Sequence, residues 1–237
     1  QSLLTKNRQT FKSISLRNRL LITFILLAAL PVLITGIVSS YINAQGLRNA
    51  SFNQLSSVAQ LKTSEIAAWV SSLQINLDLI LQDKNTINNT NSIIQNSADA
   101  DAAKTEMRTR FNNLNKTTGY FEELFIMDGN GEVILSTSPS QEGKIFSTQS
   151  FYHEGLKAPH VAPPVYDVSL AKYTIIFSQP IKDQKGSVIG VIAGRANLGV
   201  LDQIMIERAG LGETGETYLV GSNYAVLSQL RFNDLKV

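Results

Sequence analysis

The sequence predicts an α+β protein: a membrane-spanning helix, a long helix continuing from it, and a five-stranded antiparallel sheet. Three observations carry this. Residues 20–38, "LLITFILLAALPVLITGIV", form an uncharged apolar run. Phe52, Ala59, Ile66, Leu73 and Ile80 then recur every seventh residue, which is a helical stripe. After Gly119 the apolar period changes from helical to two, with Gly-rich turns between the runs.

The apolar run comes first. From Leu20 to Leu47 there is no Asp, Glu, Lys, Arg or His. Nineteen residues at a helical rise of about 1.5 Å cover roughly 29 Å, close to the hydrocarbon thickness of a bilayer. Pro31 and Gly36 are tolerated in such a span, because neighbouring groups satisfy the freed backbone carbonyls. Residues 1–19 carry Lys6, Arg8, Lys12, Arg17 and Arg19 and no carboxylate, whereas only Arg48 and Lys62 follow the span for some distance. The asymmetry places the N-terminus in the cytoplasm and everything after residue 41 outside. A cleaved signal peptide is the rival reading. The long basic segment, the length of the apolar run and the poor cleavage site in "VSSYINAQ" argue for an uncleaved anchor in the plasma membrane. With 21 basic and 19 acidic residues, bulk charge gives no reason to expect a nucleic-acid partner. The absence of cysteine excludes thiol chemistry and disulfides.

Residues 44–84 lack proline and, after Gly46, glycine, so the helix continues. Its stripe serves either packing on a sheet, favoured over 60–84, or a homodimer seam, favoured over 44–60. Lys62 and Asn76 interrupt the second row of the heptad. The Asn-rich segment 83–104 suits a loop with at most one helical turn. Met107, Phe111 and Leu114 restart helical spacing, with Asp101 and Glu106 early and Lys116 late, as the helix dipole prefers, and this shorter helix ends near Gly119.

Strands follow at Glu122–Met127 and Glu132–Thr137, joined by Asp-Gly-Asn-Gly, a hairpin turn rather than a calcium loop, since Pro139 stands where the terminal Glu ligand is needed. A long segment, 139–164, separates them from "VYDVS" (165–169), "KYTIIFSQPI" (172–181) and "SVIGVIAGRANL" (187–198). Insertions of this length often carry binding groups. A short helix over Val200–Arg208 leads to a last hairpin, Tyr218–Val220 with Ala225–Gln229.

In order, the anchor, the long helix, "FIMDGNGEVILST", "SFYHEGL", "YTIIFSQPIKDQKGSVIGVIAG" and "LGETGETYLVG" resemble the double Cache sensor domains of bacterial transmembrane receptors over about residues 45–232. The resemblance implies a cytoplasmic N-terminus (1–19), a transmembrane helix (20–41), a signalling helix (42–84) and a membrane-distal PAS-like module (85–199). Residues 200–237 would hold a linker helix and the first hairpin of an incomplete membrane-proximal module. It further implies an extracytoplasmic region that binds a small molecule in the distal module and signals through a homodimer. Kinase, cyclase or chemotaxis output would lie beyond this chain, which carries none of their signatures and reads as part of a longer receptor. No enzyme activity and no cofactor are expected of it. The alternative is an anchored interaction protein whose head binds another protein.

Cache domains that bind amino acids share an Arg two positions before a Trp-Tyr pair, a Tyr on the next strand and an Asp near the end of the last strand. Here Gln149 replaces that Arg, Phe151 and Tyr152 fill the aromatic positions, Tyr166 serves as the strand tyrosine, and Arg195 stands where the amine-binding Asp is due. Alternation puts Ile189, Val191, Ala193 and Arg195 on one strand face and Val188, Gly190, Ile192 and Gly194 on the other, where the glycines would let the long helix approach. On the neighbouring strand Tyr173, Ile175 and Phe177 share a face, and the hairpin register, which the sequence does not set, decides whether it is the pocket face. The candidate ligand-binding residues are Phe151, Tyr152, Tyr166, Asp167, Tyr173, Phe177 and Arg195. A buried guanidinium needs an anion. It is either a ligand carboxylate or an internal partner, Asp167 or Asp128. His153, Glu154 and His160 lack the spacing of a zinc site and read as surface residues.

Overall fold

The computed structural model of the chain describes residues 15–168, 170–208, 210–222 and 224–232. The first fourteen residues of the basic N-terminus and the end of the chain from 233 lie outside the described residues. The helix α1, Leu16–Gln82, runs unbroken through Pro31, and the chain divides into two units at Ser56/Ser57. In the first unit the apolar residues from Leu20 to Val38 are exposed, which leaves one helix long and apolar enough to cross a membrane among the described residues.

In the second unit α1 buries Val58, Lys62, Trp69, Leu73, Leu77 and Ile80. Asp83 then caps α2, Lys84–Ile94, by accepting from the Asn85 amide, and it pairs with Arg110. The Asn-rich segment thus holds a three-turn helix rather than a loop. Its polar composition hides a buried face of Thr86, Thr90 and Ile93, with α3 packed against the helix and Ile93 in the core. α3, Ala100–Thr118, ends at Gly119, whose left-handed backbone (φ 66°) is the conformation a helix-terminating glycine supplies.

The strands are β1 (Phe121–Met127), β2 (Val133–Ser136), β3 (His160–Val161), β4 (Val165–Asp167), β5 (Lys172–Thr174), β6 (Ile176–Lys182) and β7 (Val188–Ala196). Five form an antiparallel sheet in the order β2-β1-β7-β6-β3, and β4 pairs with β5 in a separate ribbon. The fifth strand is therefore His160–Val161, inside the long segment after β2, and not "VYDVS". The run 172–181 is likewise interrupted at Ile175, where the chain leaves the ribbon for the sheet. The β1–β2 turn is closed by Asp128, whose Oδ1 accepts from the amides of Asn130 and Glu132 at 2.9 Å each, leaving it committed to turn chemistry.

One sheet face packs on α1 and α3 through Leu124, Ile126, Phe177, Ile181 and Ile192 against Trp69, Leu73, Leu77, Met107 and Phe111. Each such side chain contributes about 1.5–3 kcal/mol by leaving water. The two β7 glycines sit on this face but serve β1 rather than α1. A Cβ on Gly194 would lie 2.5 Å from the Phe121 ring, and one on Gly190 would strike the Met127 carbonyl. Ile189 departs from strict alternation, because the β6–β7 register shifts beside it and turns it toward the helix-side core. The other face carries a smaller core of Phe125, Met127, Val191 and Ala193 under Phe151 and Tyr152 of α4, Ser150–Gly155.

The helix after β7 begins earlier than its apolar pattern suggests: α5 is Leu198–Ile206, capped by Asn197, whose side chain accepts from Gly199 and donates to the Gly119 carbonyl. Beyond it the expected hairpin is reduced to a single bridge, Val220 with Val226, among the described residues.

Candidate functional site

The α4 side of the sheet holds a cavity of about 330 Å³. Its apolar walls come from Phe146, Phe151, Ala162, Pro163, Val165, Val168 and Ile176, and its polar groups from Gln141, Lys144, Gln149, Ser150, Tyr166, Asp167, Thr174 and Arg195. Phe125, Phe146 and Phe151 meet edge-on or tilted, with centroids 5.5–6.3 Å apart, and make one wall rigid. The Ser178 hydroxyl donates to the Phe151 carbonyl at 2.6 Å and ties α4 to β6.

Arg195 is 5% exposed and contributes to the cavity lining. Its Nε donates to Glu123 Oε2 at 3.3 Å and its Nη1 to Asp167 Oδ2 at 3.2 Å. Glu123 stands directly opposite Arg195 on β1, and its Oε1 accepts from the Ser136 hydroxyl at 2.7 Å. The Ser136 oxygen in turn accepts from the Ser138 amide, so the buried carboxylate is hydrogen-bonded through both oxygens. Arg195 is thus held between two carboxylates, Asp167 in the cavity lining and Glu123 in the sheet, and Lys144 adds a second cation to the lining. A guanidinium has five N–H donors, and these two bonds use two of them.

The seven candidate residues separate. Phe151, Tyr166, Asp167 and Arg195 line one cavity. Phe177 does not: it pairs with Gly194 in the register, so it shares the glycine face and packs edge-on against Trp69, with centroids 6.3 Å apart. Ile176, opposite Arg195, takes the cavity position instead. Tyr173 lies on the ribbon against Tyr166, with centroids 5.3 Å apart, outside the lining. Tyr152 is buried in the small core and donates its hydroxyl to the Asp128 carbonyl at 3.2 Å, also outside the lining. Burial, and then the nearby Asp128 charge, raise its pKa above the ordinary phenol value. Of the two internal partners weighed for Arg195, Asp167 is one and Asp128 is not. The other partner, Glu123, escapes a reading that starts from β7 alone. The alternation Glu123, Phe125, Met127 along β1 is the signal that places it on this face. No group of three metal-ligating side chains occurs among the described residues.

A helix-backed antiparallel sheet with a lined cavity on its other face, following one apolar N-terminal helix, defines an α+β sensor module of the kind membrane receptors carry. The chain belongs to the Cache-domain family, whose model matches residues 43–236. Solved structures agree. It is similar to the sensor domain of the Vibrio cholerae histidine kinase DctB (19% identity, 66% of this chain and 59% of that one, TM-score 0.54). It is similar also to the ligand-binding domain of the Campylobacter jejuni chemoreceptor Tlp3 in complex with L-norvaline (18%, 73% and 66%, 0.55). A third is that of the Pseudomonas aeruginosa chemoreceptor PctC in complex with GABA (18%, 75% and 74%, 0.54). The chain thus spans about three fifths of the DctB sensor domain's length. No curated protein sequence matches it. Cache domains sense rather than catalyse, and the membrane-receptor setting fits the apolar helix.

Proposed function

We propose that this chain is the extracytoplasmic ligand-sensing region of a transmembrane signalling receptor and that its cavity takes a small carboxylate-bearing molecule. One observation carries the reading: a buried guanidinium, fixed by Glu123 and Asp167, at the floor of a cavity whose walls are aromatic and aliphatic. A planar fork with donors to spare is the group best suited to a carboxylate. The apolar walls would bury the ligand's hydrocarbon body. The Tlp3 and PctC domains were solved with L-norvaline and GABA, molecules that each bear a carboxylate. A lined cavity of about 330 Å³ favours a small molecule over a protein as the occupant.

The excess of Lys and Arg before residue 20 supports a cytoplasmic N-terminus and a sensor outside the membrane. Leu61, Ile75 and Leu79 are exposed on α1 beside the buried row of Trp69, Leu73 and Leu77, at spacings a helical seam would use, so a homodimer seam, expected over 44–60, would reach along 60–84 as well. Ligand would signal by favouring one helix arrangement by a few kcal/mol. Because the chain has no cysteine, Ile75→Cys tests the seam directly. Oxidation should give a covalent dimer, and a chain that stays monomeric would remove the seam.

For the ligand, the full chain in nanodiscs is titrated calorimetrically with pentanoate, norvaline and pentylamine, which share one carbon skeleton. The two carboxylates should bind and the amine should not. Arg195→Lys keeps the charge but not the fork, and should weaken both by tenfold or more. Binding of pentylamine alone, or unchanged binding in the lysine variant, would overturn the reading.

A further inference from the structure

We infer that Asp167 is a built-in competitor: in the ligand-free protein it holds the place on Arg195 that a ligand carboxylate takes, and so sets how strong an anion must be to enter. The inference rests on the carboxylate reading above.

The two carboxylates on Arg195 are not equivalent. Glu123 belongs to β1, which is hydrogen-bonded on both sides, by β2 and by β7. Its side chain is 8% exposed, and its second oxygen is held by Ser136 at 2.7 Å. Removing it from Arg195 would leave a charge buried in the sheet. Asp167 belongs to the β4–β5 ribbon, which is not part of the sheet, and its side chain is 25% exposed on the cavity wall. Its Oδ1 accepts from the Leu170 amide of its own turn at 3.3 Å, a bond that does not involve Arg195, so Oδ2 can leave Nη1 for water at a smaller penalty than the more deeply buried Glu123 would incur. Two carboxylates on one guanidinium also carry one negative charge more than the pairing needs. The fixed partner is therefore Glu123 and the exchangeable one is Asp167. An incoming monocarboxylate would replace the Asp167 oxygen on Nη1, leaving the number of carboxylates on Arg195 unchanged while Asp167 Oδ2 turns to solvent. Neutral molecules, and amines without an acid, have no means of making that exchange.

Trading one partly exposed ion pair for another makes the competitor worth about tenfold in affinity, or about 1.4 kcal/mol. In Asp167→Asn, Arg195 keeps Glu123, so no buried charge is left alone and the fold should persist. Native emission from Trp69, the only tryptophan, checks this. Asp167→Ser provides a second variant with no amide to occupy the fork.

The test is calorimetry of the full chain in nanodiscs with pentanoate, comparing wild type, Asp167→Asn, Asp167→Ser and Glu123→Gln. Both Asp167 variants should bind pentanoate about tenfold more tightly than wild type, and Glu123→Gln should gain much less. Equal or weaker binding in both Asp167 variants would overturn the inference and leave the carboxylate reading standing. A gain in Glu123→Gln equal to that in Asp167→Asn would also overturn it, since general charge removal would then suffice. So would a loss of norvaline alone on Asp167→Asn, because Asp167 would then be holding an amine. Absence of pentanoate binding in all four proteins would instead sink the carboxylate reading itself.

Discussion

Replacing Arg195 by Met tests the charged floor as a structural element. In the variant the Glu123 side chain, 8% exposed, retains only its bond from Ser136, while Asp167, 25% exposed, regains water. Breaking a buried pair by removing one partner costs about 3–5 kcal/mol, nearly all of it here from stranding Glu123. Glu123→Gln alone is milder, because the amide oxygen can still accept from Arg195 or Ser136 and Asp167 still balances the guanidinium. A charged bond becoming a neutral one costs about 1–2 kcal/mol. The double variant strands no charge, and should recover about 1–3 kcal/mol relative to the sum of the two. Urea unfolding of the full chain in micelles, followed by Trp69 emission, reports the unit that contains the sheet, since Trp69 packs on Phe177. With a urea slope of about 2 kcal/mol per molar, the midpoint should fall by about 1.5–2.5 M in Arg195→Met. An Arg195→Met protein within about 1 kcal/mol of wild type, or a double variant no better than additive, would refute the buried triad.

Three further outcomes follow from the same structure. Gly194→Val should cost at least about 1–3 kcal/mol, because its Cβ alone would lie 2.5 Å from the Phe121 ring in a core with no slack; the same urea melt reads it. Tyr152 has its pKa raised by burial, so its contribution is whole below the ordinary phenol value and declines as pH climbs from there toward the folded value. Tyr152→Phe should flatten that alkaline decline in a pH series of melts. Asp83 has its pKa lowered, first by the Asn85 amide it accepts from and then by Arg110, so its contribution is present above the usual carboxylate value. It should be lost as pH falls through the folded value, which hydrogen exchange at the first amides of α2 can follow, and Asp83→Asn should remove that acid dependence.

Periodic signals were legible in the sequence wherever one face of an element is uniformly apolar. The β7 alternation separates Val191, Ala193 and Arg195 from Ile192 and Gly194 as the structure has them, and Gly119 ends its helix. What could not be read depends on register and on short pairings. Phe177 and Ile176 exchange roles because Phe177 sits opposite Gly194, a fact set by the β6–β7 turn and not by either strand's composition. The two-residue strand His160–Val161 has too little sequence to show a period. α2 was hidden because its buried face is mostly threonine, with the Thr90 hydroxyl spent on the Thr86 carbonyl of its own helix.

Lys62 shows the same limit from the other side. In a heptad reading it is a flaw in an apolar row, yet its side chain is 3% exposed and its ammonium pairs with Glu65 at 3.3 Å and with Glu207 at 3.0 Å. Glu207 immediately follows α5, and α5 follows β7 directly through the Asn197 cap. The strand that carries Arg195 to the cavity therefore leads within twelve residues to one of the two carboxylates that pair with Lys62 on α1. A buried lysine tolerates few rearrangements that separate it from its partners, since an unpaired charge there costs several kcal/mol. Lys62 is thus best understood as the point that fixes where the end of α5 meets α1, a specification an apolar residue would leave loose. For a protein whose proposed ligand site lies at one end of β7 and whose α1 holds the apolar span, a fixed joint is worth more than a better-filled row.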